Sequence, residues 1–377
     1  MARFFDNLTS KGFAAPLAAS VLMAGVAAGS MTATGTAQAA GPDFTGKKIT
    51  FLTPHRGADS VLSLKTWMKY ASKNLKGNPE ITVQSKFGGG GVTAANFFAA
   101  TAKPDGLTAS MLNLPAFISY SVRRKGVKYD ISTMKVIAGE AAVYVHIAGK
   151  SAKAQDASGV NASAGEQSFG TRSRNFNVMT AQILWRAAGS PVRVVTGFRG
   201  NDTVIQALAS GELNLGYIYM QAWMRNLKNY ADLNIKPLYQ MGTLDAAGNI
   251  MRDPLIKDVP TADELYLKLK PNAKGTQDYK ALRTAMSMYQ IAKGFFLPAG
   301  TDAAIVDAWR TAVDKGAKDP AFIAEHTKLF GFPLAYVPWA QASKNLNDGL
   351  ATLKEPYFQP GGEGYQLIIG TRQKKKK

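Results

Sequence analysis

The residue types that most often carry chemistry are scarce or wrongly spaced in this chain. Its three histidines, His55, His146 and His326, lie far apart, without the spacing of a local metal-ligand motif. There are no cysteines, which removes both thiolate metal sites and disulfides. No Gly-x-Ser-x-Gly elbow occurs, and the acidic residues show no signature of paired acid/base work. The run Gly88 to Gly91 is not followed by Gly-Lys-Ser/Thr, and the Gly-x-Gly-x-x-Gly spacing fails at Thr93. It reads as a tight strand-to-helix turn rather than a phosphate cradle. The expectation is therefore a non-enzyme without cofactor or metal, the alternative being a catalytic site assembled from distant residues. What remains is positive charge. Arg172 and Arg174 sit in one short stretch, Phe169 to Asn177, where guanidinium groups can grip a carboxylate through paired bonds. Their alternate spacing sends one toward a cleft and the other toward water. Arg199 precedes a helix expected near Asp202, whose first amides favour an anion.

The elements that must position these residues alternate. Lys48 to Thr53 reads as a strand, Val61 to Leu75 as a helix and Ile81 to Phe87 as a second strand. After the glycine run come a helix over Val92 to Thr101, a turn at Lys103 to Gly106 and a strand over Leu107 to Leu112. A loop rich in Ser, Ala and Gly, Lys150 to Gln167, precedes a second such unit. There Ser168 to Thr171, Val192 to Thr196 and Leu213 to Tyr219 are strands, with helices over Val178 to Ala188 and Asp202 to Ser210. Gly294 to Pro298 is again strand-like, and Ala303 to Lys315 and Ala321 to Lys328 are helical. Repeated strand-helix alternation predicts an α/β protein with mostly parallel sheets flanked by helices.

The ends set an address. Arg3 and Lys11 flank a polar start, and no charge follows until Asp43. The apolar stretch Phe13 to Ala28 falls short of the ~20 residues a spanning helix needs, and Ala37-Gln38-Ala39 offers a cleavage signal. Residues 1–39 are expected to be a signal peptide, cut after Ala39 or Ala40, with no lipobox cysteine and a periplasmic product of about 337 of the 377 residues. That length suggests two domains. Formal charge is +19; the leader accounts for +1 and Lys374 to Lys377 for +4, which leaves +14 in the folded part. No basic-aromatic motif of a nucleic-acid binder is present, so the excess points to an anionic ligand or surface, and residues 373–377 to a basic tail.

Three stretches, GGGGVTAANFFAATAKPDGLT (Gly88 to Thr108), VTGFRGNDTVIQALASGELNLGY (Val195 to Tyr217) and FFLPAGTDAAIVDAWRTAVDKGAKDPAF (Phe295 to Phe322), with DVPTADELY (Asp258 to Tyr266) as a fourth, carry a resemblance. In order and spacing they resemble the receptors of the tripartite tricarboxylate transporters, the Bug or TctC-like binding proteins. The resemblance implies a type II periplasmic-binding-protein fold, two α/β lobes with a cleft between them. The bounds expected are residues 45–145 plus 285–372 for lobe 1 and 146–284 for lobe 2. It also implies that a monomer captures a mono-, di- or tricarboxylate by hinged closure and delivers it to a small and a large membrane subunit. A same-fold receptor serving a sensor kinase or another transporter class is the alternative. The first ligand loop it implies contains His55, Arg56, Gly57 and Asp59. The second contains Thr171, Arg172, Ser173, Arg174 and Asn175, which keeps the family's aromatic-Gly opening and then departs from its small-residue run. Arg199, Asn201, Asp202, Asn113, Pro115 and Tyr219 complete the expected ligand set.

Overall fold

The computed structural model describes residues 41–245 and 247–370; the expected signal peptide and the lysine tail lie outside them. The first lobe begins with β1 (Lys48–Thr53), α1 (Ala58–Ser72), β2 (Glu80–Ser85), α2 (Val92–Thr101), β3 (Thr108–Asn113), α3 (Leu114–Ser121) and β4 (Lys135–Glu140). The chain then crosses into β5 (Tyr144–Ala148), β6 (Gln167–Gly170), α4 (Phe176–Ala187), β7 (Val192–Val195), α5 (Asn201–Ser210), β8 (Leu215–Tyr219), α6 (Met220–Arg225), α7 (Leu227–Asp232) and β9 (Lys236–Gln240). A small hairpin, β10 (Thr243–Leu244) and β11 (Ile250–Met251), leads to α8 (Ala262–Leu269) and α9 (Gln277–Tyr289). The return brings β12 (Lys293–Leu297), α10 (Ala303–Lys318), α11 (Pro320–Phe330), β13 (Tyr336–Val337), α12 (Trp339–Leu353) and α13 (Glu363–Ile369). Among the described residues no helix is long and apolar enough to cross a membrane.

Each lobe is built on one sheet. The first has the order β13-β4-β12-β3-β1-β2 and the second β7-β6-β8-β5-β9. In the first, β1, β2, β3 and β4 run one way while β12 is inserted antiparallel between β3 and β4. In the second, β6, β7, β8 and β9 run one way and β5 is inserted antiparallel between β8 and β9. The reversed strand is in each case the first one the chain lays down after crossing. That construction leaves each sheet paired only within its own lobe, with the chain passing between the two sheets twice.

Alternation in β1 places Ile49 and Phe51 in a core with Trp67, Phe295 and Trp309. The Trp67 and Phe295 rings meet edge-on at 4.8 Å. Trp67 Nε1 donates to the Val313 carbonyl at 3.1 Å and Trp309 Nε1 to that of Gly106 at 3.0 Å, so both indoles are buried without an unpaired donor. Gly316 is required here because a Cβ would lie 2.7 Å from the Ala71 nitrogen where α10 packs on α1. A second buried cluster runs from Leu112 and Phe117 through Tyr289 to Phe176 and Trp185, joining the lobes on one side.

The two crossings, Ala141 to Val143 and Gln290 to Ala292, are fastened to each other and to both lobes. Ala142 N–H donates to the Tyr289 carbonyl at 2.8 Å, Leu114 N–H to Ala292 at 2.9 Å and Met220 N–H to Val143 at 2.9 Å. The last helix returns to the second lobe: α13 packs on α4, and Arg186 of α4 pairs with Glu363 and, at 2.7 Å, with Asp278. Residues 363–369, expected in lobe 1, pack on α4 of the second lobe.

Candidate functional site

A cavity of about 330 Å³ opens where the crossings meet the ends of β1, β3 and β8 and the start of α4. Its first-lobe wall holds His55, Ser60, Asn113 and Pro115, with Lys293 at the return crossing. Its second-lobe wall holds Asn175, Asn177, Tyr217 and Tyr219, and Tyr144 and Tyr289 close it from the hinge. This volume is at the small end of ordinary ligand sites.

The tyrosine wall follows from strand register. Tyr144 of β5 stands opposite Tyr219 of β8, and two residues further along His146 stands opposite Tyr217. With a side-chain period of two, Tyr217 and Tyr219 share a face. The Tyr144 ring meets Tyr217 at 5.6 Å, Tyr219 at 5.4 Å and Tyr289 at 4.8 Å, mutually tilted or edge-on. Burial pushes the phenols of Tyr144, Tyr219 and Tyr289 upward, with further contributions from neighbouring phenols or, for Tyr219, from the charge of Glu140 first. All three are neutral hydroxyls at any physiological pH.

Asparagine supplies the polar frame. Asn175 caps α4: its Oδ1 accepts from Asn177 N–H at 2.8 Å and Val178 N–H at 3.3 Å, while its Nδ2 donates to Tyr217 Oη at 2.8 Å and the Ser173 carbonyl at 3.2 Å. Asn177, fully buried, shares a 3.1 Å hydrogen bond with His146 Nε2. The His146 ring stacks on Tyr239 at 4.4 Å, and burial holds its pKa down at about 3. On the other wall Asn113 caps α3, accepting from Ala116 N–H at 3.2 Å. The left-handed Gly91 lies so close that a Cβ there would be 2.2 Å from Asn113 Oδ1. The glycine run is thus the tight turn expected of it: Gly88 to Gly91 all have positive φ and lead directly into α2.

Charge enters the cavity through Lys293, whose Nζ donates to Glu140 Oε1 at 2.5 Å. Beside it, His55 is held neutral: burial first, then the Lys293 charge, lowers its pKa to about 4, and its Nε2 is buried without a hydrogen-bond partner.

Of the residues expected to bind a ligand, the structure gathers His55, Asn113, Pro115, Asn175 and Tyr219 around this cavity. Thr171 stands just behind it, donating to the Ser173 carbonyl at 2.9 Å and 3.3 Å from Tyr217 Oη. The others lie elsewhere. Arg56 is exposed, its guanidinium 5.1 Å above the Phe87 ring. Gly57 precedes α1 as its N-cap, and Asp59 is exposed in the first turn. Arg172, Ser173, Arg199, Asn201 and Asp202 are exposed, and Arg174 turns to Gln182 Oε1 at 3.1 Å. None of the four arginines lines the cavity. The sequence analysis did not single out Tyr144, Tyr217, Tyr289 or Lys293; the alternate tyrosines in Gly216-Tyr217-Ile218-Tyr219 were the readable signal.

This arrangement of sheets, crossings and cleft recurs in solved structures. A ligand-free TctC solute-binding protein from Polaromonas matches with a TM-score of 0.60 and 14% identity over 81% of this chain and 97% of that one. The chain has the fold of the TctC-type periplasmic solute-binding proteins. MatC of Rhodopseudomonas palustris, solved with malate, matches with a TM-score of 0.54 and 18% identity, covering 81% of this chain and 97% of that one. A further R. palustris protein, solved with adipate, gives 0.55 and 18% over 81% and 96%. No protein-family model matches the sequence, and neither does any curated protein. The fold read from the strand-helix alternation, and the resemblance read from the glycine-rich and Phe295 to Phe322 stretches, are those of the TctC-type structures.

Proposed function

We propose that this protein is an exported, periplasmic solute-binding receptor that captures a small organic acid and hands it to the membrane subunits of a transporter without transforming it. The observation that carries this reading is the cavity itself. It lies at the crossings, takes side chains from both lobes, and its frame of buried and half-buried asparagines and tyrosines is held by internal hydrogen bonds. Such a site can be completed or released by a small rotation about Ala141 to Val143 and Gln290 to Ala292, with ligand shifting an open-closed equilibrium. Malate and adipate in two proteins of the same fold support an organic acid as cargo. The ligand contacts we assign are His55, Asn113, Asn175 and Tyr219 from the sequence, joined by Asn177, Tyr217 and Lys293. The monomer acts alone at the binding step, and a small and a large membrane subunit receive the closed form.

Thermal unfolding of the chain from residue 41 against carboxylates, amino acids, sugars and phosphates tests this. A ligand at 100 times its Kd stabilises the native state by about 2.7 kcal/mol, a shift of several degrees. A rise confined to one class of acids, with the acid recovered unchanged, supports a receptor; a response to sugars alone, or turnover of the bound compound, overturns it.

A further inference from the structure

The geometry points to a ligand with a single carboxylate, held at Lys293, and an aromatic ring, packed against the tyrosine wall. This rests on the receptor reading and narrows its cargo. The first ground is a census of the donors that face the cleft. A second carboxylate would need a second set of charged or backbone donors, and at the starts of α3 and α4 most of the first amides are already committed. At α3, Leu114 N–H donates to the Ala292 carbonyl at 2.9 Å, Pro115 has no N–H, and Ala116 N–H is taken by Asn113 Oδ1. At α4, Asn177 N–H and Val178 N–H are both taken by Asn175 Oδ1. The start of α1 has no side-chain cap, and its Ser60 lies on the same wall as Lys293 and His55, so it adds to the same end of the cavity.

The second ground is net charge. Lys293 is already paired with Glu140, which is itself buried, so the pair carries no net charge and a dianion would bring two uncompensated negative charges where a monocarboxylate brings one. One carboxylate can share Lys293 with Glu140. The third ground is the opposite wall, where the Tyr144 ring stands edge-on to those of Tyr217 and Tyr219, with Leu114 and Ile118 of α3 adding apolar surface from the first-lobe side. Edge-to-face contacts of this kind accept a planar ring, and the phenol hydroxyls leave it a hydrogen-bonding partner.

Calorimetric titration of the wild-type chain from residue 41 separates the outcomes. The acids are benzoate, 4-hydroxybenzoate, phenylacetate and cinnamate against malate, adipate and citrate, and each aromatic acid is paired with its primary amide. We expect at least one aromatic monocarboxylate to bind tenfold or more tighter than every di- or tricarboxylate, and its amide to bind at least tenfold more weakly than the acid. A di- or tricarboxylate that binds tighter overturns this inference and leaves the receptor standing; an amide equal to its acid overturns the role of Lys293. Absence of binding by every acid in the set overturns the inference and the receptor reading together. Lys293→Gln paired with Glu140→Gln, which leaves no buried charge unmatched, should bring acid and amide to within about threefold of each other while circular dichroism stays unchanged.

Discussion

The two walls of the cleft are built to different specifications. In the second-lobe wall, Asn175 makes four hydrogen bonds, Asn177 is locked to His146, and the tyrosines interlock at 4.8 to 5.6 Å. In the first-lobe wall, His55 Nε2 is buried with no partner, α1 starts uncapped, and Asn113 is steadied by a run of left-handed glycines. A buried polar atom left unpaired costs about 1–3 kcal/mol. The first wall therefore has bonding capacity at the cavity that a ligand can satisfy, whereas the unpartnered atoms of the second, His146 Nδ1 and Tyr239 Oη, are not among the groups that line it. A solute that docks against the tyrosines finds its polar end facing the groups still in need of a partner, which is a physical reason for closure to be coupled to binding.

The sharpest way to break this contrast is to add one methyl group behind the first wall. Gly91 has φ +104°, and a Cβ there would meet Asn113 Oδ1 at 2.2 Å. Gly91→Ala combines backbone strain of about 1–3 kcal/mol with loss of an N-cap worth about 1, so urea unfolding should show roughly 3 kcal/mol of destabilisation and the best ligand should bind more weakly. Gly126→Ala is the control, since Gly126 has φ +94° but nothing within 4 Å of its would-be Cβ. Equal costs for the two variants would mean that contact with Asn113 plays no part, and the first wall would lose its dependence on the glycine run.

Gly91 also marks what could be read from the chain. The turn, the strand before it and α2 over Val92–Thr101 were legible because glycine, period-two alternation and helical spacing are local signals. Asn113 and Asn175 were legible too, as polar residues between a strand and an apolar helix. Lys293, Tyr289 and Tyr144 were not: Lys293 and Tyr144 reach the cavity on the inserted strands β12 and β5, Tyr289 ends α9 just before the return crossing, and no local pattern encodes a crossing. The arginines misdirected attention for a related reason. Arg172 and Arg174 stand beside Asn175, yet the cap turns the loop so that Arg172 faces solvent and Arg174 reaches Gln182.

The second wall can be probed by acid. Burial lowers the His146 pKa from the ordinary 6.5 to about 3, so between those values the unfolded chain binds a proton that the native state refuses. Stability present above pH 6.5 is therefore lost progressively as pH falls toward 3, at about 1.4 kcal/mol per pH unit for one such group. His55, lowered to about 4, and His326, also lowered by burial, act in the same direction. Urea unfolding at pH 7, 6 and 5 should show the decline, and His146→Phe should start from lower stability but decline less steeply, by about one proton. An unchanged slope would mean that His146 is not held neutral behind Asn177, and the second wall would be less finished than its hydrogen bonds imply.

The smallest effect is expected outside both walls. Arg172→Ala combined with Arg174→Ala removes two positive charges beside the second lobe's helix cap. Arg172 is exposed; Arg174 loses one hydrogen bond to Gln182 and its packing near Gly370, where its Nε lies 2.7 Å from a would-be Cβ. Surface changes of this kind cost about 0.5 kcal/mol. Affinity for the best acid should change by less than twofold at 0.15 M salt, where charges beyond about 8 Å are largely screened. At low salt the association rate should fall more visibly, since exterior charge steers an anion toward the cleft without touching it there. A tenfold loss of affinity at 0.15 M salt would mean that closure carries these guanidinium groups onto the ligand. The wall would then gain two cations, and the limit to one carboxylate would have to be abandoned with it.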